Sequence, residues 1–494
     1  MTVARNNGWR FLLGAALVVT GVVGIVVPRS LTAQSSDAVG DVTYTKDIAP
    51  ILQRSCENCH RVDGVAPMSL SNYEEVRPWA RAIKQRTGIG PHAGVMPPWY
   101  MEHNIGIQHF KDDPSLSDLE LAKIAKWADS GAPRGNPADM PPAKSYDDTK
   151  WHIGTPDLIV KTTDVTVKAG APYWWGEIPR VPVGLDEDRY VTALEVKEVN
   201  DVDNHAGTGR QTVGGHYIFH HMIWSTRVVG TAEDEANRDP NAFDADGSTG
   251  WPVHEVGRNA DFFDQRAARL LKAGSSVVSD SVHLHSNGRD TTAHLEIGFK
   301  FAPRGFKPEF KRASYSLGNG VDIDIRPMEA NQQLHAYAVL NENVMIESFE
   351  PHLHAPGMRM CLEAIWGYNI QTLNCVGYDH NWVRGYHYQD DYMPLLPKGT
   401  ILHIIGYMDN SPSNKNIPDP RNWQGSGNRS VANMFIDLGN RVSLTDEQFL
   451  NEMAKRRDKL HLTRNDVVIG CPLCLIAPAP AAKTSTAQQQ QQQQ

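Results

Sequence analysis

The chain of 494 residues is short of positive charge: 48 Lys and Arg stand against 57 Asp and Glu, a formal net charge of −9. No basic face is visible, so nucleic acid is not an expected partner. Apolar runs long enough to cross a bilayer are missing after residue 27. Cysteine is scarce too, six in all, and the six fall into three pairs along the chain. At this length a single core is excluded, and two to four domains are expected. Residues 1–33 stand apart: Arg5 and Arg10, then an almost wholly apolar stretch over 11–27, then Leu31-Thr32-Ala33 before Gln34. Positive, apolar, small is the order of a secretory signal, which places the protein in the periplasm or outside the cell. An uncleaved anchor is the alternative and would be the one expected membrane contact, because the apolar run is near the lower length limit for a span. Removal of 1–33 takes away three arginines and no acids, moving the balance to about −12.

The first cysteine pair lies in Cys56-Glu57-Asn58-Cys59-His60. Two thiols three positions apart, followed at once by an imidazole, form the attachment motif for a c-type haem. The thiols add to the vinyl groups and His60 becomes the fifth iron ligand. The competing reading is a redox thiol pair with an incidental His. For the sixth ligand the choice is Met96, in Val95-Met96-Pro97-Pro98-Trp99, with Met68 and Met101 as competitors. His/Met ligation suits electron transfer rather than catalysis. Helical patterning surrounds the motif: a short amphipathic stretch over 47–55, a second candidate over 73–86, and a capping box at Ser117-x-x-Glu120 opening a helix that ends at Gly131 before Pro133. Together with Ala66-Pro67-Met68-Ser69-Leu70, these segments resemble bacterial monohaem c domains fused to other redox modules. An all-α cytochrome c domain is expected over 42–134, followed by a Pro-rich linker over 135–150.

Beyond Trp151 the pattern changes to short alternating runs separated by Gly, Asp and Asn. Ala293, Leu295, Ile297, Phe299 and Phe301 share one face of a strand, with His294, taken as solvated, on the other. Residues 216–228, 321–326 and 401–407 also read as strands. Many short strands over about 300 residues predict two all-β jelly-roll sandwiches, over 151–308 and 309–446. A helix over 446–457 then precedes a low-complexity tail ending in polyglutamine, so 447–494 reads as helix and tail. Cys361 and Cys375 flank a possible hairpin and Cys471 and Cys474 lie near the end; in an oxidising compartment each pair is expected as a disulfide.

Twenty histidines is a high number, and several cluster within the strand region. His352-Leu353-His354 places two imidazoles on one strand face, able to meet one metal. His283-Leu284-His285 has the same spacing. His220-His221 does not, and both can ligate only if the strand is bulged there. These segments resemble the copper type II ascorbate-dependent monooxygenases, the family of peptidylglycine α-hydroxylating and dopamine β-monooxygenases. Its first sandwich carries a His-His-Met run, matched by His220-His221-Met222, and a later His followed by a turn, matched by His285 before Ser286-Asn287-Gly288. Its second carries His-x-His followed by Gly, matched by His352, His354 and Gly357, and a methionine near the last strand, matched by Met434. Tyr378-Asp379-His380-Asn381-Trp382 and Pro397-Lys398-Gly399-Thr400 also resemble the dopamine-enzyme side of the family.

The resemblance, over about 155–445, implies two coppers: one on His220, His221 and His285, the other on His352, His354 and Met434. Imidazoles suit copper in both oxidation states, whereas a thioether is a soft ligand favouring Cu(I). The first site then stores electrons and the second, catalytic, reacts with O2. Two departures count against peptide amidation. Where the peptide-amidating enzyme has an Arg and a Tyr that hold the peptide carboxylate, this chain has Glu350 and Leu438. The expected function is copper-dependent hydroxylation of a small organic substrate with O2, with one covalent haem c relaying electrons from a periplasmic donor. A non-catalytic electron-transfer or copper-binding protein is the alternative, and a reductase of small molecules such as nitrogen oxides a third.

Overall fold

The computed structural model describes residues 40–475, apart from 63–65, 67, 147–150, 203–215, 231–248, 257–259, 314–316, 319–321 and 428–431. The expected signal and the polyglutamine tail lie outside the described residues.

Among the described residues, two six-stranded antiparallel sheets form between residues 158 and 301. In one, Thr291–Phe301 lies between Leu158–Lys161 and Arg189–Asn200, and Arg269–Leu271 follows; in the other, Ser276–Leu284 lies between Trp174–Gly176 and Phe219–Arg227. Strict alternation builds the first. Ala293, Leu295, Ile297 and Phe299 are buried along one face of Thr291–Phe301 and meet Met222, Trp224, Val277 and Val282 of the opposite sheet in one core. His294, on the other face, is partly exposed, with its Nδ1 2.9 Å from Asp164 Oδ1.

A second core lies under the strands between 311 and 444. One sheet runs Gln332–Val339, Ile401–Met408, Gly357–Trp366, Asn369–Gly377; a second runs Lys311–Arg312, Arg441–Leu444, Asn343–Ile346, Leu395–Leu396; a third runs Leu317–Gly318, Phe435–Asp437, Pro351–Leu353. Cys361 pairs with Cys375 across the expected hairpin and the two are disulfide-bonded, as are Cys471 and Cys474. The helix Asp446–Lys459 opens with a capping box at Thr445 and buries Phe449 and Met453 in this core. Of the expected strand over 321–326, only Ile325 bridges, to Gln424, among the described residues.

The architecture differs from the expectation of an all-α cytochrome c domain followed by two jelly-roll sandwiches. Among the described residues strand outweighs helix, 33% against 16%; the sheets form half-barrels, and these residues contain no all-α cytochrome domain. Short helices do occur near the haem motif: Ala49–Ser55, Tyr73–Val76, Ala80–Thr87 and the Ser117-capped Asp118–Asp129. The physical reason for the difference is where the apolar residues of 91–110 go. Trp99, Met101, Ile107 and Phe110 are buried in the core of the second group of sheets. Met101 bridges to Val376 and Phe110 to Tyr388, while the Ile107 N–H donates to the Leu373 carbonyl at 2.8 Å. Each of these groups fills a sheet core and is lost to a separate helical one. Bulges that interrupt the long ladders at Ser279, His283, Lys300 and Leu362 add to the curl of the sheets.

The docked segment depends on Gly106. A Cβ there would stand 1.8 Å from the Leu373 carbonyl oxygen, and its φ of +67° is left-handed. Gly154, at φ +75°, has nothing near its missing Cβ. Gly154→Ala should cost only the backbone strain, about 1 kcal/mol. Gly106→Ala should cost roughly 3 kcal/mol or more, because the segment must also leave the sheet. Thermal unfolding and limited proteolysis of the two variants check this; equal losses would mean the contact at Leu373 is not what holds the segment.

Candidate metal centre

The cluster begins with an irregularity in one ladder. Along Phe219–Arg227, His221 pairs with His283 and Phe219 with Leu284, so His220 is the extra residue of a β-bulge. The bulge turns both neighbouring imidazoles to one side: His220 Nδ1 lies 3.3 Å from His221 Nδ1. The His283 ring is 4.7 Å from that of His220 and 5.2 Å from that of His221. One ring nitrogen from each of these three lies within 4.8 Å of the others, a spacing that could hold a metal ion. Trp175 stacks on His283 at 3.9 Å and fixes its plane.

The third ligand expected from sequence was His285, and the structure places His283 in the tight set instead. His285 is on the margin, its ring 5.6 Å from His220 and 6.3 Å from His283. Its side chain is hydrogen-bonded to the backbone of Tyr217, and its Nε2 is buried with no hydrogen-bond partner.

His352 and His354 come from the second group of sheets. Pro351–Leu353 pairs with Phe435–Asp437, His352 opposite Ile436 and Leu353 opposite Phe435. The ladder stops at Leu353 and Phe435, one residue short of His354 and Met434. His354 Nδ1 lies 2.9 Å from the Ala432 carbonyl, which fixes the tautomer and puts the ring's lone pair on Nε2. His352 Nδ1 lies 3.3 Å from Oε1 of Glu255, whose short strand pairs with His221. Sequence reasoning missed Glu255, preferred His285 to its neighbour His283, and named His380 only as part of a motif. The His380 ring is 5.7 Å from His220 and 6.1 Å from His354.

The donors suit a metal ion. Both nitrogens of His283 and Nδ1 of His380 are buried without a hydrogen-bond partner. Leaving such groups unpaired is costly, and an ion resolves the cost. Burial, and then neighbouring imidazoles, hold His220 and His221 well below the usual imidazole range. Burial first, then His285 and His380, takes His283 down to about 3. Burial takes His380 down to about 4. Neutral imidazoles at neutral pH keep the lone pairs that ligation needs.

At the haem motif, His60 Nδ1 lies 3.2 Å from the Met68 carbonyl, which leaves Nε2 for iron. Cys56 and Cys59 are free thiols; burial pushes Cys56 up to about 12 and raises Cys59, the opposite of an activated redox pair. Of the sixth-ligand candidates, Met101 is buried in the sheet core with its sulfur 3.5 Å from Asn374 Nδ2, whereas Met96 is exposed. The residues present fit a covalent haem, with Met101 withdrawn as a competitor.

The depressed imidazoles set a pH dependence for metal-free protein. Unfolded histidines take up protons below about 6.5 while the buried ones stay neutral. Stability is therefore full above pH 6.5 and falls as pH drops toward 4 and 3. Each such imidazole adds a slope of about 1.4 kcal/mol per pH unit in that window. Melting of metal-free protein at pH 7.5 and 4.5 checks it; an unchanged midpoint would contradict the buried neutral cluster.

No protein-family model and no curated protein matches the chain. Among solved structures, oxalate decarboxylase from Bacillus subtilis is 8% identical and aligns over 66% of this chain and 86% of that one, with a TM-score of 0.13. A mutant of the same enzyme is 6% identical over 66% and 87%, with a TM-score of 0.12. Likeness at that level carries no argument about fold or function.

Proposed function

We propose that the protein is an exported haem–copper oxidoreductase that hydroxylates a C–H bond of a small organic substrate with O2. The observation that carries this reading is the bulge at His220, which gathers His220, His221 and His283 near the pair His352 and His354, to which the resemblance adds Met434. An imidazole-only site accommodates both oxidation states of copper, and a thioether at the second favours the reduced one. Copper, when bound, would supply one-electron chemistry and the reduction of O2. The overall balance is R–H + O2 + 2 e⁻ + 2 H⁺ → R–OH + H2O.

In this reading His352, His354 and Met434 hold the ion on the oxygen side. The Ala432 carbonyl orients His354, and burial of His352 and His354 keeps bulk water away. His220 and His221, with His283 at ligand distance and His285 at the margin, hold the electron-storing ion. Cys56, Cys59, His60 and Met96 would hold a covalent haem, which would supply one-electron transfer from a periplasmic donor. The peptide-carboxylate clamp stays unsupported: Glu350 is buried, its carbonyl accepting from the Leu438 N–H at 2.9 Å.

Two experiments test the reading. Protein with reduced haem should re-oxidise in O2 only when copper is bound; re-oxidation at the same rate without copper contradicts it. Met434→Leu should lower substrate-dependent O2 consumption by at least about 100-fold, the scale of losing one group that acts in the chemical step. The haem spectrum should not change. Hydroxylation retained at the parental rate would remove Met434 from the site.

A further inference from the structure

We infer that His380 is an additional metal ligand that joins the two histidine sets into one dinuclear centre. The inference rests on reading the cluster as a metal centre and goes beyond it, since the two sites expected from sequence are separate and leave His380 unused.

The argument is one of reach. An imidazole nitrogen binds a metal of this kind at about 2.0–2.1 Å, so the ring centre stands roughly 3 Å from the ion. Two rings on one ion therefore have centres no more than about 6 Å apart. His220 and His221, at 5.6 Å, and His352 and His354, at 5.5 Å, satisfy this limit within their own sets. His380 lies at that limit from a member of each set: 5.7 Å from His220 and 6.1 Å from His354. The order His221, His220, His380, His354, His352 is then a continuous line of imidazoles with each neighbour at co-ligation distance.

Two further observations fit a ligand. His380 Nδ1 is buried and has no hydrogen-bond partner, although the ring lies among other imidazoles rather than in an apolar core. The residue before it is fastened down. Asp379 Oδ2 accepts from the Gly94 N–H at 3.2 Å and lies 3.5 Å from the Tyr100 hydroxyl, and Oδ1 accepts from the Asn381 N–H at 2.9 Å. The segment carrying Met96 thus grips the backbone that presents His380. Such outer contacts preorganise a ligand.

The consequence is magnetic. His380 binds one ion through each ring nitrogen as the imidazolate, its N–H proton leaving to solvent as the second copper binds. The two ions therefore stand within roughly 6 Å of each other, twice the ring-centre distance. Two Cu(II) ions that close broaden each other's signals and give a half-field transition. The test is a Cu(II) titration of the metal-free full chain, followed by equilibrium dialysis and electron paramagnetic resonance. The expected result is two coppers per chain, in addition to the haem iron, with a broadened spectrum and a half-field line. His380→Phe should lose the half-field line and weaken one copper by at least tenfold, whereas His294→Phe, outside the cluster, should change neither. Two coppers with full, unbroadened, independent signals in the parent protein overturn the inference even if His380→Phe does not fold, and leave the function reading standing. No copper bound at all overturns both.

Discussion

Everything at the candidate centre depends on one extra residue in a β-ladder. Regular pairing would send His220 and His221 to opposite faces, one into the sheet core and one away from it. The bulge opposite His283 and Leu284 removes that alternation. The result is a set of neutral, buried imidazoles with more ring nitrogens than protein partners to satisfy them. Folding such a set without an ion is costly, and cost of that kind is found at functional sites rather than in ordinary cores.

The second constraint is that the centre is assembled from distant parts of the chain. Glu255 is paired with the His221 strand and reaches His352 from the other group of sheets. His380 sits between His220 and His354. The 91–110 segment is laid onto Val376 and Leu373 and holds Asp379 through Gly94. Placement of the 91–110 segment and placement of the histidines are therefore one packing problem. That is why its apolar residues belong to a sheet core and not to a helical domain of its own.

Much of this was legible in sequence where the physics is local. The capping boxes at Ser117 and Thr445, the apolar face of Thr291–Phe301 and the Cys361–Cys375 hairpin all rest on contacts a few residues apart or on simple alternation. The need for a bulge at His220-His221 was legible too, because period-two geometry forces it. What escaped was non-local. Choosing His285 over His283 required knowing which residue faces His221 across the ladder, and a one-residue shift in register reverses that choice. His380 was visible as part of a motif, but nothing in its own neighbourhood says that His220 and His354 lie on either side. The all-α domain failed for the same reason: helical patterning over 47–131 is real, yet the destination of Trp99 and Phe110 is set by sheets hundreds of residues later.

The central claim is that these histidines form a metal centre. Anomalous X-ray scattering at the copper edge, from crystals of the copper-loaded full chain, tests it directly. The account predicts one peak at bonding distance, about 2 Å, from ring nitrogens of His220, His221 and His283, and a second beside His352 and His354. A copper-loaded crystal with no anomalous peak among these rings, and the rings hydrogen-bonded to water instead, would contradict it.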